Sequence, residues 1–204
     1  MGLYSQVVFP RICDFVLNQP FLAEYRRELL AQAQGEVLEI GFGTGLNLPA
    51  YPPTIRKITT VDPNAGMHSL AQRRIRETGI AVEHHQLRSE QLPFQGATFD
   101  CVVSTFTLCS VRDPAQVLSQ VFRVLRPAGR FLFLEHGLSP DPAVQKWQRR
   151  LNWIQSLLGD GCRLDRDIRA LVESQRFAGI EVDARYLEQL PRISGYAYRG
   201  TATK

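Results

Sequence analysis

Three glycines stand at alternate positions directly behind a short apolar run, in the segment EVLEIGFGTGLN from Glu36 to Asn47. Glycine permits positive φ angles and lets another molecule approach the backbone closely. A buried strand that ends in such a turn indicates that a ligand lies against Gly41, Gly43 and Gly45. Glu39 adds one carboxylate just before the turn.

The spacing of these glycines differs from the G-x-G-x-x-G pattern of dinucleotide-binding turns. The third glycine comes one place early, and Leu46 stands where that pattern has glycine. The segment that follows contains Pro49, Pro52 and Pro53, which are incompatible with a long helix. A phosphate-binding turn, and with it a nicotinamide oxidoreductase, is therefore disfavoured, and an uncharged backbone surface is expected.

A second acidic residue, Asp62, ends the next apolar run, 17 residues after Gly45. A carboxylate at the end of that strand can accept hydrogen bonds from both hydroxyls of a ribose. The segment LRSEQLPF, from Leu87 to Phe94, follows the third predicted strand. A nucleobase is expected beside it.

The glycine turn, Asp62 and the segment 87–94 each follow a predicted strand, so they can form one site only if a sheet brings the ends of these strands together. Strand-like and helix-like patterns alternate along the chain, which is typical of βαβ units and predicts a doubly wound α/β fold with a mostly parallel sheet covered on both faces. Ligands in such folds bind at the carboxyl ends of the strands. The seven predicted strands are 37–40, 57–61, 82–87, 99–104, 131–135, 181–186 and 194–201.

The whole chain of 204 residues is predicted to form one domain. Its net charge of +4 is too small to argue for nucleic acid as a partner. The four cysteines and four histidines do not fall at metal-ligand spacing, so reduced thiols, a cytoplasmic protein and no metal site are expected. No signal peptide or membrane-spanning run is recognised.

Five ordered motifs resemble the class I S-adenosylmethionine-dependent methyltransferases over nearly the whole chain. They are E-x-G-x-G-x-G, the acidic end of the second strand, L-P-F, F-D-x-V and R-V-L-R-P-x-G. The resemblance implies a Rossmann-like fold, S-adenosyl-L-methionine as cofactor, S-adenosyl-L-homocysteine as product, and a small-molecule acceptor. A non-catalytic cofactor-binding module is the alternative from another functional class.

The resemblance also assigns parts of the cofactor to residues. Glu39 and the glycine turn face the methionine part, Asp62 holds the ribose, and Ser89 with Glu90 lines the adenine. Relatives often have an acidic residue where this chain has Arg88. The full set of implied cofactor residues is Glu39, Gly41, Phe42, Gly43, Gly45, Asn47, Asp62, Pro63, Asn64, Met67, Ser89, Glu90, Thr107, Leu108 and Cys109.

Three further segments resemble the thiol methyltransferases of the methyltransferase-like group: LCSV (108–111), EHG (135–137) and GDGCRLDRD (159–167). Animal members of that group carry an N-terminal membrane anchor, which is not expected here. The scaffold also resembles quinone C-methyltransferases and phospholipid N-methyltransferases. The most favoured acceptor is a small, fairly apolar thiol, and carbon, nitrogen or oxygen acceptors on lipid-like molecules stay open.

The candidate catalytic residues are His136, as a base near neutral pH, and Asp160, as its orienting carboxylate. His136 has a structural alternative, a hydrogen-bonded residue at the strand end. Cys109 is interpreted as a small residue lining the cofactor pocket. Asp160 and Cys162 either border the acceptor or belong to a loop whose glycines end the preceding helix.

Two amphipathic segments bracket the sheet in sequence: an N-terminal helical segment, 1–33, and a helix with its loop, 142–165. Both are predicted to cover the acceptor site as a lid. Lys146, Arg149 and Arg150 lie on the polar side of the second segment, so peripheral contact with an anionic membrane is a further interpretation. The oligomeric state is left open.

Overall fold

The computed structural model describes residues 2–204. A π-helical turn, Tyr4–Val8, leads into α1 (Phe9–Leu17), which is followed by α2 (Pro20–Leu30). The remaining elements, in chain order, are β1 (Val37–Ile40), a 3₁₀ turn (Leu48–Ala50), β2 (Lys57–Val61), α3 (Ala65–Thr78), β3 (Ala81–His85), β4 (Phe99–Thr105), α4 (Pro114–Val124), β5 (Leu125–His136), α5 (Pro142–Leu158), α6 (Ile168–Glu173), β6 (Gly179–Tyr186) and β7 (Tyr196–Thr203).

The seven strands form one sheet in the order β3-β2-β1-β4-β5-β7-β6, in which β7 is antiparallel to both of its neighbours. The chain moves from β1 to one side of the sheet and returns to β4 on the other. The strand order therefore reverses between β1 and β4, where ligands of doubly wound folds bind. The predicted seven-stranded α/β fold is confirmed.

Helices cover both faces of the sheet because the central strands are apolar on both sides. Leu38 and Ile40 of β1 belong to the core that contains α4 and α6. Val37 belongs to the core on the other face, with residues of α2 and α3. Burial on both faces fixes the strand ends and, with them, the loops that carry polar residues.

Local signals set the start of the helices near these loops. The Asn64 side chain caps α3 by accepting a hydrogen bond from Gly66 N at 3.0 Å, and Asp113 caps α4 by accepting one from Gln116 N at 3.0 Å. Gly79, with φ of +67°, ends α3 in the left-handed region.

The largest departure from the sequence-based elements is in β5. The sequence predicts a helix up to Leu125 and a strand over 131–135, whereas α4 ends at Val124 and β5 already begins at Leu125. Leu125 pairs with Phe99 of β4, and a register shift beyond that pair accommodates the Arg-Pro-Ala-Gly segment. His136 consequently lies in the last position of the strand, paired with Ala197, rather than after it.

No helix within residues 2–204 has the length and apolar character needed to cross a bilayer.

Candidate active site

A cavity of about 460 Å³ opens at the carboxyl ends of β1, β2 and β4. This volume lies in the range of small-molecule sites. All of the predicted cofactor residues line the cavity except Gly45, Leu108 and Cys109. Asp160 also lines the cavity, whereas His136 does not.

The three glycines of the first turn all have positive φ, but a side chain at each of them would meet different surroundings. A Cβ on Gly41 would lie 2.0 Å from Thr107 Oγ1, and one on Gly45 would lie 3.1 Å from a methyl group of Leu48. A Cβ on Gly43 would meet nothing closer than Gly41 O at 3.9 Å, and Gly43 lines the cavity. Gly41 and Gly45 therefore allow close packing, and Gly43 leaves space for a ligand.

Asp62 connects this turn to the end of β2. Its Oδ2 accepts a hydrogen bond from Gly43 N at 2.8 Å, and its Oδ1 accepts one from Asn64 N at 2.8 Å. Burial raises the pKa of the Asp62 carboxyl, and these two backbone donors oppose the rise. The remaining lone pairs of the carboxylate are free for donors in the cavity.

A buried carboxylate and a buried guanidinium lie together at the methionine end of the predicted site. Glu39 accepts hydrogen bonds from Asn47 Nδ2 at 2.9 Å and from the Tyr51 hydroxyl at 2.7 Å, and burial raises the pKa of Glu39 to about 7. Arg26 is 2% exposed and donates from one terminal nitrogen to Leu17 O at 3.1 Å.

The Arg26 guanidinium is not fully satisfied by the protein. Its Nε is buried without a hydrogen-bond partner in the described residues, and burial lowers the pKa of Arg26 to about 10. Within residues 2–204, Arg26 forms no ion pair with Glu39 at 4.0 Å or less, although the two charges attract each other. The separated charges of Glu39 and Arg26 could each bind the oppositely charged group of a zwitterionic ligand.

Two non-glycine residues of the cavity wall adopt left-handed backbone conformations. Phe106 has φ of 52° and Asp160 has φ of 48°. Such conformations are uncommon for bulky residues and concentrate at ligand sites. The Phe106 segment is held by Glu135, whose carboxylate accepts hydrogen bonds from Ser104 Oγ at 2.7 Å and Thr107 N at 3.1 Å.

The N-terminal segment closes the cavity from outside the sheet. Phe9, Cys13 and Leu17 of α1 line the wall. Ser5 contacts both ends of the site, because its Oγ donates to Asp160 Oδ2 at 2.6 Å and its carbonyl accepts from Asn64 Nδ2 at 2.8 Å. Removing this segment would therefore disturb the cofactor side as well as the acceptor side.

The second predicted lid segment contributes through its loop. No residue of α5 lines the cavity, whereas Asp160 and Gly161 in the following loop do. Two large apolar side chains of α5, Trp147 and Leu158, are 54% and 58% exposed, so this part of the helix does not pack against the core.

His136 has a different partner from the one predicted. Its Nε2 lies 2.9 Å from Cys162 Sγ, and the described residues include no His136–Asp160 hydrogen bond. The hydrogen bond with Cys109 and the neighbouring His136 ring lower the pKa of Cys162. Burial alone would lower the pKa of His136, but the Cys162 thiolate raises it.

Comparison with known proteins identifies the family. A methyltransferase domain family matches residues 38–133, from β1 into β5. The rat protein "Thiol S-methyltransferase TMT1B" is 33% identical over 193 residues, which cover 85% of this chain and 78% of the relative. The chain belongs to the class I S-adenosylmethionine-dependent methyltransferases. It lies close to the thiol S-methyltransferase group within them.

One further relative supports the family, and one solved structure supports the fold. The human protein "Thiol S-methyltransferase TMT1A" is 33% identical over 90% of this chain and 82% of its own length. The crystal structure of an S-adenosylmethionine-dependent methyltransferase from Thermotoga maritima, described as a possible histamine N-methyltransferase, superposes with a TM-score of 0.67. It covers 97% of this chain and 98% of that chain at 21% identity. The predicted family and cofactor are confirmed.

The residues present fit S-adenosylmethionine. The space above Gly43 is one that a Cβ would fill, Asp62 offers free acceptors for ribose hydroxyls, and the charges of Glu39 and Arg26 complement an α-ammonium and an α-carboxylate. When bound, S-adenosylmethionine supplies a methyl group activated by a sulfonium.

Several residues of the cavity wall, among them Arg26 and Phe106, were not predicted from the sequence. Arg26 was detectable in principle, because it stands among the apolar residues Phe21, Leu22, Tyr25 and Leu29 of an amphipathic helix. A cation on an apolar face is costly unless it has a partner. Phe106 carried no such signal, since its φ depends on the contacts of the folded loop.

Proposed function

We propose that this methyltransferase transfers the methyl group of S-adenosylmethionine to the sulfur of a small, fairly apolar thiol. The observation that carries the proposal is the apolar part of the cavity wall, in which Phe9 and Leu17 of α1 lie with Phe106. The names of the rat and human relatives support a thiol acceptor. Carbon, nitrogen and oxygen acceptors are the alternatives.

Methyl transfer from a sulfonium to a thiolate needs no covalent intermediate with the protein. A thiolate is the nucleophile, a new carbon–sulfur bond forms as the methyl–sulfonium bond breaks, and the thiol proton leaves to solvent or to a base. A free thiol has a pKa of about 8.5, so a small fraction is ionised at pH 7. Holding the two sulfur atoms in line can lower the barrier by about 7–11 kcal/mol.

We assign the acceptor end to Asp160 and the N-terminal segment 1–33. Ser5 and Asp160 join this segment to the loop of the 142–165 region, and both therefore shape the space left for an acceptor. The catalytic roles of His136 and Asp160 stay predictions. His136 lies behind the wall, against the Cys162 side chain of the loop that carries Asp160, so we propose for it a positioning role.

An acceptor screen tests the proposed function. Acceptors with one aromatic ring and a thiol, hydroxyl or amine group, together with a quinol, are compared by the rate of S-adenosylhomocysteine release. We expect turnover of the thiol and little or none of its oxygen and nitrogen counterparts. Preferred turnover of the quinol or the amine would contradict a thiol acceptor and leave the methyltransferase assignment intact.

We also propose that Arg26 and Glu39 hold the methionyl group of the cofactor. Arg26→Met keeps much of the side-chain volume but removes a hydrogen bond between charged groups, worth about 1.5–3 kcal/mol. We therefore expect calorimetry to show S-adenosylhomocysteine binding weakened by about 10–100-fold.

Arg27→Met is the matched control for this change. Arg27 is the next residue along α2, and its side chain is 61% exposed in a surface ion pair with Glu24. The control should bind the cofactor product normally. If Arg26→Met bound S-adenosylhomocysteine normally but had a higher KM for the acceptor, this proposal would be wrong. The guanidinium would then bind the acceptor anion.

We propose that this protein contacts a membrane surface peripherally. Its cytoplasmic location stays a prediction. The outer surfaces of the N-terminal segment and α5 meet where the Tyr4 hydroxyl donates to Leu158 O at 2.7 Å. Large apolar side chains are exposed there, and α5 also exposes the basic residues Lys146, Arg149 and Arg150. The exposed apolar residues include Leu3 (79%), Phe15 (77%), Trp153 (68%) and Leu157 (69%).

Vesicle flotation tests this contact. We expect binding to vesicles that contain anionic lipid and weak binding to zwitterionic ones, because the apolar area and the basic residues act together. Trp153→Glu should reduce the bound fraction, whereas Gln34→Glu, the same charge change at the amino end of β1, should not. Equal behaviour of the two variants would contradict the proposed surface.

A further inference from the structure

Three side chains from separate parts of the chain converge behind the cavity wall. Cys109 lies in the loop after β4, His136 at the end of β5, and Cys162 in the loop after α5. One donor atom from each lies within 4.8 Å of the other two. We call these three residues the cysteine–histidine cluster. Spacing along the sequence predicted no shared site for them, and the fold brings them together.

The distance between the two sulfur atoms suits a thiophilic cation. Zinc–sulfur bonds are about 2.3 Å long, and two thiolates at tetrahedral positions are then about 3.8 Å apart. Cys109 Sγ and Cys162 Sγ are 3.8 Å apart. His136 Nε2, at 2.9 Å from Cys162 Sγ, is closer than a tetrahedral site requires, so a bound cation would widen this one contact.

The backbone around the cluster is held in place by hydrogen bonds. Arg163 N donates to Cys109 O at 2.9 Å, which joins the two cysteine-bearing loops. The Arg166 guanidinium donates to Leu108 O and to Val111 O, on either side of Cys109. Ligands that are fixed before binding lose little entropy when a cation arrives.

The donor set selects the type of ion. Two cysteine sulfurs and one imidazole are soft to intermediate ligands, which favour zinc over magnesium or calcium. Two thiolates would also neutralise a divalent cation. Cys109 is buried, and His136 and Cys162 are half-buried, so the cluster is shielded without being sealed from solvent.

We propose that Cys109, His136 and Cys162 bind one Zn²⁺ ion through two thiolates and an imidazole. Within residues 2–204 the cluster contains no fourth histidine, cysteine or carboxylate donor. The fourth position of the ion is therefore left to water or to an exogenous thiolate, as in zinc sites that have three protein ligands. His136 Nδ1 is buried and has no partner in the described residues, so water would have to supply the hydrogen bond that usually orients a zinc-bound imidazole.

Cobalt substitution tests the site without any activity assay. The full chain, reduced and stripped of metal, is titrated with Co²⁺ and followed by absorption. We expect one equivalent to bind, with the visible bands of tetrahedral cobalt and a thiolate-to-cobalt charge-transfer band, and Zn²⁺ to displace it. Competition with a chromogenic chelator then gives the zinc affinity.

Variants separate the cluster from the other thiols. Cys162→Ser should weaken the charge-transfer band, because one of the two thiolates is lost, and should weaken zinc binding by more than about 100-fold, since the loss of even an outer-shell partner costs about 10–100-fold. Cys101→Ala is the control, because Cys101 lies at the amino end of β4 against β1. Calorimetry with S-adenosylhomocysteine shows whether each variant is folded.

Three results would overturn the proposal. The wild-type chain could give no tetrahedral cobalt spectrum, which needs no variant to interpret. Cys162→Ser could bind the ion as the wild type does. The reduced chain could form a Cys109–Cys162 disulfide on exposure to a mild peroxide and bind no metal before it, which would make the pair a redox site.

Discussion

Replacing Gly43 by valine is expected to abolish detectable binding of S-adenosylmethionine. Gly43 has φ of +56°, and a Cβ there would point into open space in the cavity wall rather than against other protein atoms. The branched side chain would occupy the volume that the cofactor needs. We expect calorimetry to show an affinity at least about 1,000-fold lower, or more than about 4 kcal/mol.

Gly79→Val separates this effect from backbone strain. Gly79 has φ of +67° at the end of α3, and a Cβ there would meet nothing within 4 Å. Both variants carry the strain of a left-handed residue, about 1–2 kcal/mol, but only one fills the cavity. Both should melt earlier than the wild type, and only Gly43→Val should lose cofactor binding. Near-normal binding by Gly43→Val would contradict the assignment of the turn.

Replacing Asp62 by alanine is expected to weaken cofactor binding by about 10²–10⁴-fold. The carboxylate would lose two charge-assisted hydrogen bonds to ribose hydroxyls, each worth about 1.5–3 kcal/mol. The change also leaves Gly43 N and Asn64 N without their acceptors, so the turn itself loosens. Calorimetry with S-adenosylhomocysteine measures the loss.

Asp100→Ala is the matched control for Asp62→Ala. Asp100 also accepts a backbone hydrogen bond, from Glu36 N at 2.8 Å, and it pairs with Arg126 at 2.6 Å near the amino end of β4. Its loss should lower the free energy of unfolding and leave the cofactor affinity unchanged. If both variants bound the product equally well, Asp62 would have a structural role alone.

Local sequence patterns were sufficient for the sheet and for the cofactor side of the site. The glycine turn, Glu39 and Asp62 each lie within a few residues of an apolar strand, and parallel strands bring their carboxyl ends to one edge. The composition of each segment therefore determined where these side chains lie. Fold, family and cofactor followed from these segments and are confirmed.

Contacts between distant segments escaped prediction. Arg26 enters the cavity because α2 packs against β5 and the 3₁₀ turn that follows β1, and Ser5 meets Asp160 across 155 positions of the chain. The cysteine–histidine cluster likewise needs β4, β5 and the loop after α5 to meet. The spacing of residues within one segment carries no information on contacts between distant segments. The early start of β5 shows that pairing with a neighbouring strand overrides local turn signals.

The structure of the complex with S-adenosylhomocysteine tests the central claim most directly. We expect the product to lie in the cavity at the carboxyl ends of β1, β2 and β4. Its ribose hydroxyls should donate to Asp62, its chain should pass over Gly43, and its α-carboxylate should face Arg26. A product bound elsewhere, or bound here with the Asp62 carboxylate turned away from the ribose, would contradict it.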